Sequence, residues 1–376
     1  MEKPIQMVDL KSQYQRLKPE IDTAIQDVLD SGVFIKGNVV ADFENQLSQY
    51  LGGTSVVSCA NGTDALQIAM MALNLQPGDE IIVPAFTYAA TAEVIALLGL
   101  TPVFVDVYED TFNINVSLIE QAISPRTKAI VPVHLFGQCA DMEPILVIAK
   151  KHGLFVVEDT AQAIGAVYTF TDGTQKMAGT MGDIGTLSFF PSKNLGCYGD
   201  GGALLSNNPE LATKIRMIAN HGQKVQYQHD LIGVNSRLDA LQAAVLTVKL
   251  KHLPSFEDSR NEVATYYDLR LGGFSQISIP KRSLFSTHVF HQYTIKLNGL
   301  DRNGLREKLK QRGIPSMVYY PIPVHQQQAF QSISKMGSSL VVSELLCNQV
   351  LSIPIHTEMD REQLDFIVEA LSHFGY

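Results

Sequence analysis

The sequence predicts an α/β fold with a mostly parallel central sheet, followed by a smaller α+β domain. Three observations carry this. Short apolar runs without polar alternation recur between residue 54 and about residue 208, and helical patterns separate them. After one long helical region the order changes to scattered strands, a further helix and a closing helix. Strands that are apolar throughout, with helices between them, belong to a parallel sheet covered on both faces.

The elements follow in order. "TSVVSCA" reads as a strand running into "NGTDALQIAMMALNL", where Leu66, Ala69, Met70 and Leu73 mark one buried helix face. "QPGDE" is a turn and "IIVPAF" a buried strand. "TAEVIALLGL" reads as helix, "TPVFVDV" as strand, "SLIEQAI" as helix and "KAIVPVHL" as strand. "MEPILVIAKKHG" is a helix stopped by Gly153, and "LFVVEDT", "GTLSFF" and "GALLSN" are further strands. A helical region spans about Asn235 to Gly272. Beyond it, "HVFHQYTIKL" and "PSMVYY" read as strands, and "DRNGLREKLKQRG" as a helix ending at Gly313. "DREQLDFIVEALSHFG" closes the chain, with Asp360 as its N-cap. The expected division is a large domain over 1–250, including the N-terminal segment, and a small one over 251–376.

Bulk properties narrow the function. With 376 residues and 45% hydrophobic composition, the chain can bury a sizeable core. A net charge of -9 argues against nucleic acid as partner. No stretch approaches the roughly 18 apolar residues of a membrane span, and the first residues lack the apolar core of a signal peptide. Cys59, Cys139, Cys197 and Cys347 are widely spaced and read as reduced thiols, so a cytoplasmic location is expected. His288 and His291 would face opposite sides of a strand, so no metal is expected.

In a parallel sheet, ligands sit beyond the carboxyl ends of the strands. Four features collect there. Asn61-Gly62-Thr63 opens a helix and offers N–H groups and positive dipole to an anion. Thr87-Tyr88 supplies an aromatic ring, and Glu158-Asp159 supplies carboxylates. "SFFPSKNLGCYGDGG" places Lys193 in a glycine-rich loop. Singly, each has an ordinary reading as cap, core, solvated rim or surface charge. Together they match pyridoxal phosphate, which needs a lysine amine, a carboxylate at its pyridine nitrogen, a phosphate cradle and a flat partner for its ring.

The blocks "NGTDAL", "PAFTYAATAEVI", "EDTAQAIGA", "SFFPSKNLGCYGDGGA" and "GVNSRLDALQAA" resemble those of the DegT/DnrJ/EryC1/StrS sugar aminotransferases. The resemblance covers nearly the whole chain and implies the fold type I pyridoxal-phosphate architecture and a nucleotide-linked ketosugar substrate. Carried over, it implies that Lys193 forms the Schiff base with the cofactor and then shuttles the proton. Asp159 would pair with the pyridinium nitrogen, Gln162 would hydrogen-bond near the ring hydroxyl, and Tyr88 would stack on the ring. Gly62, Thr63 and Ser188 would hold the phosphate. Asn235 would reach the phosphate of a neighbouring subunit, which implies a homodimer with shared sites. The cofactor would pass through its pyridoxamine form, with glutamate as the expected amino donor.

The variants "FPSKNLGCYGDGG", "HGQ", "GVNSRLD" and "YYPIPVH" look most like transaminases that aminate C3 of a UDP-linked 3-keto-hexuronic acid for surface polysaccharide. There Arg237 would bind the substrate carboxylate, with an interface or capping ion pair as its plainer reading. Tyr319 and Tyr320 would touch substrate, although Tyr319 stands where such enzymes carry histidine. The alternatives are C3 or C4 amination of a dTDP- or GDP-linked 6-deoxy-ketosugar. Dehydratases of this family, with histidine at the lysine position, and non-catalytic relatives are further removed.

Overall fold

The computed structural model describes residues 4–372. Helix α1 (Leu10–Ser31) starts where the Asp9 carboxylate accepts from Ser12 N at 2.9 Å, and it stops at Gly32 with φ +64°. It and α2 (Asn38–Tyr50) bury Leu17, Ile21, Val28, Val40, Phe43 and Leu47. Strand β1 (Ser55–Cys59) leads into α3 (Gly62–Ala72), whose cap Asn61 accepts from Asp64 N. Then come β2 (Glu80–Pro84), α4 (Ala90–Leu97) and β3 (Thr101–Val105).

The helix expected over "SLIEQAI" is instead two 3₁₀ turns, 116–118 and 120–122. The buried residues Val116, Ile119 and Ala122 recur every third position, which is the 3₁₀ pitch, and Pro125 then blocks extension. Strand β4 (Thr127–Ile130) is shorter than expected because Pro132 has no N–H for the ladder. Helix α5 (Met142–His152) ends at Gly153, φ +64°, and β5 (Phe155–Asp159) follows. A hairpin of β6 (Val167–Thr169) and β7 (Gln175–Met177) precedes β8 (Ile184–Ser188) and β9 (Gly202–Ser206).

The large sheet has the order β1-β9-β8-β5-β4-β2-β3 and is parallel except for β9, which runs against both neighbours. Parallel neighbours need a crossover, and β8 and β9 are joined only by the glycine-rich loop 189–201. The loop carrying Lys193 is therefore the return turn at the ligand edge.

Helix α6 (Pro209–Ile218) is capped by Asn208, with Pro209 in its first turn. A small hairpin, β10 (Gln223–Val225) with β11 (Gln228–His229), follows. The helix expected from Asn235 begins at α7 (Ala240–Leu271); residues 235–239 are extended, with bridges from Asn235 to Asn220 and from Asp239 to Ile35.

Helix α7 passes through residue 250, where the domain division is expected. Its first half packs with α1 and α2, and Val263, Ala264 and Tyr267 pack in a second core with Tyr293, Ile295 and Leu351. That core covers the antiparallel sheet of β12 (Ile277–Ser278), β13 (Tyr293–Leu297) and a later strand, with α8 (Arg302–Gln311) beside it. Strand β14 (Lys335–Met336) returns to the large sheet beside β3. Then come α9 (Val341–Gln349), β15 (Val350–Ile353), which pairs with β13, and α10 (Arg361–Ser372). Asp360 and Gln363 cap α10 reciprocally, side chain to backbone N–H in both directions.

Two expected strands are corrected. In "HVFHQYTIKL" only Tyr293–Leu297 is strand, because the carbonyls of Phe290 and His291 accept from Arg260 and that of Val289 from Asn194. His288 and His291 are consequently both buried, rather than on opposite faces of a strand. "PSMVYY" forms only an isolated bridge, Met317 to Ser352.

Candidate active site

Beyond the carboxyl ends of β2, β5 and β8 lies a cavity of about 500 Å³, within the size range of small-ligand sites. Lys193, Asp159, Gly62, Thr63, Tyr88, Gln162, Ser188, Tyr319 and Tyr320 all line it. Asn235 and Arg237 do not. Asn235 is exposed on the segment before α7, and Arg237 lines a separate hollow of about 390 Å³ with Lys36, Arg216, Lys224 and Ser236.

The Lys193 N–H donates to Phe190 O at 2.8 Å, which tightens the start of the loop. Its amine has no hydrogen-bond partner among the described residues and opens on the cavity. Burial pushes its pKa down to about 8, against the opposite pull of the Asp159 carboxylate. The side chain is thus poised as a nucleophilic amine.

The two carboxylates ending β5 part company. Alternation along a strand sends consecutive side chains to opposite faces. Glu158 turns inward and is fully buried, accepting from the N–H groups of Gly179, Met181 and Gly182 at 2.9, 2.7 and 2.6 Å. His134 Nε2 completes the set at 2.9 Å, and its Nδ1 accepts from Ala140 N, so the proton sits on Nε2. Asp159 turns to the cavity; Thr91 Oγ1 donates to its Oδ2 at 2.8 Å and Ala161 N to its Oδ1 at 3.2 Å.

Gln162 is fixed through its carbonyl, which accepts from Phe136 N at 2.7 Å, while its amide donates to the Tyr320 hydroxyl at 3.1 Å. Burial raises the Tyr320 pKa and keeps the phenol neutral. Tyr88 stands on the rim, 61% exposed, with its ring 6.1 Å from that of Tyr320. At the start of α3, Asn61 already serves Asp64 N, and the N–H groups of Gly62 and Thr63 have no partner among the described residues. A Cβ on Gly62 would stand 2.7 Å from Ser188 Cβ, so only glycine keeps this corner open.

Sequence reading missed several lining or supporting residues. Thr91 sits in an unremarkable helical run, and Phe136 in a loop with φ +58°. His291 and Gln292 also line the cavity. Burial and the nearby charges of Lys193 and Arg260 hold the His291 pKa well below the ordinary range, and its Nδ1 has no partner among the described residues. No group of three or more metal-ligating side chains occurs among the described residues.

These fittings suit pyridoxal phosphate. They comprise a free amine, an anchored carboxylate, unused N–H groups at a helix start beside two hydroxyls, and a rim of aromatic rings. A family profile, the DegT/DnrJ/EryC1/StrS aminotransferase family, matches residues 15–372. The chain is 46% identical to a UDP-2-acetamido-2-deoxy-3-oxo-D-glucuronate aminotransferase of Pseudomonas aeruginosa, over 98% of this chain and 100% of the relative. It is 45% identical to a UDP-N-acetyl-3-dehydro-alpha-D-glucosamine 3-aminotransferase of Acidithiobacillus ferrooxidans, over 96% and 95% of the two chains. Among solved structures, that of S. venezuelae DesV in complex with a ketimine intermediate superposes with a TM-score of 0.93. It is 40% identical and covers 98% of both chains.

Proposed function

The chain belongs to the DegT/DnrJ/EryC1/StrS aminotransferase family, and from that premise we propose that it aminates C3 of a UDP-linked 3-keto-hexuronic acid. It is a pyridoxal-phosphate enzyme that transfers an amino group to a nucleotide-linked ketosugar. The observation that carries the reading is Lys193, a half-buried side chain whose amine desolvation holds near pKa 8, lining a cavity that Asp159 also lines.

When bound, the cofactor supplies a cationic ring that draws electrons from the carbon losing its proton. The chain's residues do the rest. The Asp159 carboxylate, held by Thr91 and Ala161, keeps a proton on the ring nitrogen. The Lys193 amine would be the covalent anchor for the cofactor and, once freed, would take up and return the proton lost from the substrate carbon. Gln162, fixed by Phe136 N and Tyr320, would serve the ring hydroxyl, and Tyr88 on the rim would cover the ring. The N–H groups of Gly62 and Thr63 and the hydroxyls of Thr63 and Ser188 would hold its phosphate. Tyr319 and Tyr320 border the space left for the sugar.

The amino donor in this reading is glutamate, the location cytoplasmic and the assembly a homodimer. Leu29, Val33, Phe34 and Ile35 form an exposed apolar strip beside Lys36, and Ile35 bridges to Asp239. A second copy covering this strip would take up Asn235 and Arg237 as parts of its own site. No helix among the described residues is long and apolar enough to cross a membrane.

A second reading, a UDP-linked 3-ketosugar without a carboxylate, is favoured by one observation: the identity of 45% to the UDP-N-acetyl-3-dehydro-alpha-D-glucosamine 3-aminotransferase nearly equals the 46% to the oxo-glucuronate enzyme. Incubation with glutamate and a panel of UDP-, dTDP- and GDP-linked ketosugars decides between them. An amino-uronic acid formed from the UDP-linked acid supports the first reading. Amination only of neutral sugars overturns it. Borohydride should fix the cofactor on Lys193, and a labelled peptide elsewhere would overturn that assignment.

A further inference from the structure

We propose that Lys249, together with Gln242, is a positioning residue: from one face of α7 the two side chains clamp the Lys193 loop against the cavity. The inference deepens the reading in which Lys193 is the reacting amine.

Residues 242 and 249 are seven apart, two turns along one helix face. Lys249 is 1% exposed, and its Nζ donates to the carbonyl of Gly196 at 2.8 Å. Gln242 Oε1 accepts from Tyr198 N at 2.8 Å. These two contacts lie three and five residues beyond Lys193, on the side of the loop away from the cavity. There Leu195 and Cys197 pack with Ala243, Leu246 and Leu253 of the same helix. Close backbone approach makes the clamp possible. A Cβ at Gly196 would meet Pro191 O at 2.3 Å, and one at Gly199 would meet the Gln242 amide at 3.0 Å.

Packing alone does not explain a lysine here. Its neighbours are apolar, and a methionine of similar length would fill the space without the cost of burying an amine. That cost is visible in the Lys249 pKa, which burial lowers to about 8. Two features offset it. The Gly196 carbonyl accepts its proton, and the Tyr198 ring lies 4.4 Å from Nζ. Without Lys249 that carbonyl would lose its donor inside the protein, and the loop's tight turn over Pro191 would lose its tie. Lys193 owes its low pKa to burial. A loosened loop would surround the amine with more water and return it toward the ordinary lysine range.

The test reads Lys193 itself. Competitive labelling of the full chain, stripped of cofactor, with acetic anhydride across pH 6–11 gives the titration midpoint of Lys193 by peptide mass. Lys249→Met should raise that midpoint by about one unit, so that the reactive fraction at pH 8 falls about fivefold. Lys249→Arg, which restores a charged donor, should keep the midpoint near the wild-type value. Leu371→Ala, a core truncation in α10, should lower the melting temperature and leave the midpoint where it was. An unmoved midpoint in Lys249→Met, or an equal shift in Leu371→Ala, overturns the proposal. If Lys249→Met does not fold, Gln242→Leu breaks the same clamp and is judged by the same criterion. Failure of the broader reading shows elsewhere, in borohydride fixation away from Lys193.

Discussion

The hydroxyl of Thr91 donates to Oδ2 of Asp159 at 2.8 Å, tying the first turn of α4 to the end of β5. The bond aims one carboxylate oxygen while Ala161 N holds the other. Asp159→Asn should retain the cofactor and lose about 10²-fold or more in turnover, because a neutral amide cannot balance a cationic ring nitrogen. Thr91→Val keeps the shape and removes one charge-assisted bond, so a loss of about tenfold in kcat is expected. Steady-state kinetics of both variants checks this; near-normal rates in Asp159→Asn would remove Asp159 from the chemistry.

The pH dependence of cofactor capture follows from Lys193. Burial disfavours its ammonium, so its pKa is about 8 in the folded chain against 10.5 when unperturbed. The amine predominates above pH 8 and the ammonium below it. The unfolded chain holds the proton up to its ordinary value, so this group's contribution to stability grows as pH rises from about 8 to 10.5. Capture of added pyridoxal phosphate by cofactor-free protein should speed up about tenfold between pH 6 and pH 7 and level off above pH 9. Stopped-flow absorbance measures it, and a midpoint near 10.5 would contradict the burial argument.

Gly62 is limited by contact rather than by backbone angle. A Cβ there meets Ser188 Cβ at 2.7 Å and its Oγ at 3.2 Å. Gly62→Ala should therefore push α3 and β8 apart at the corner assigned to the phosphate. Weakening of cofactor binding by about tenfold or more is expected, equivalent to roughly 1–3 kcal/mol of overpacking. Equilibrium dialysis with pyridoxal phosphate reads it, and pyridoxal without the phosphate should be far less affected.

Glu158 ties the end of β5 to the segment 179–182. It accepts from three backbone N–H groups and from His134 while fully buried. Glu158→Gln would turn an amide N–H₂ toward one of those donors and should cost about 2–4 kcal/mol of stability. A melting temperature lower by about 2–5 °C is expected. An unchanged melting curve would mean that the segment 179–182 finds other acceptors.

The sequence made the ligand edge readable because strand ends in a parallel sheet are local features. Each of "NGT", "TY", "ED" and "SK" follows its own apolar run, and the fold sets the four runs in one sheet with their carboxyl ends at the same edge. What it hid depends on contacts distant in sequence. Nothing in "EDT" tells which carboxylate turns inward; that choice is made by the loop 179–182 and by His134. Thr91 and His291 join the site from segments whose patterns read as ordinary helix and strand. The 3₁₀ turns at 116–122 show the same limit, since apolar spacing of three over seven residues differs little from that of an α-helix.

Asn235 offers a test of the homodimer proposed above. Neither it nor Arg237 lines the Lys193 cavity of its own chain; Arg237 lines a hollow with Lys36 and Gly37, next to the exposed strip Val33–Ile35, and Asn235 bridges to Asn220. If a second copy receives them, two inactive variants can repair each other. Lys193→Ala supplies an intact Asn235 to its partner, and Asn235→Ala supplies an intact Lys193. Their hybrid dimer then contains one complete site and one doubly defective site. Random re-pairing of equal amounts makes half the dimers hybrid, so about one quarter of wild-type activity should return. Refolding the mixed chains together and assaying transamination measures this, with each variant refolded alone as the control. Asn235 acting within its own chain would give no recovery, because every site would then lack one of the two residues.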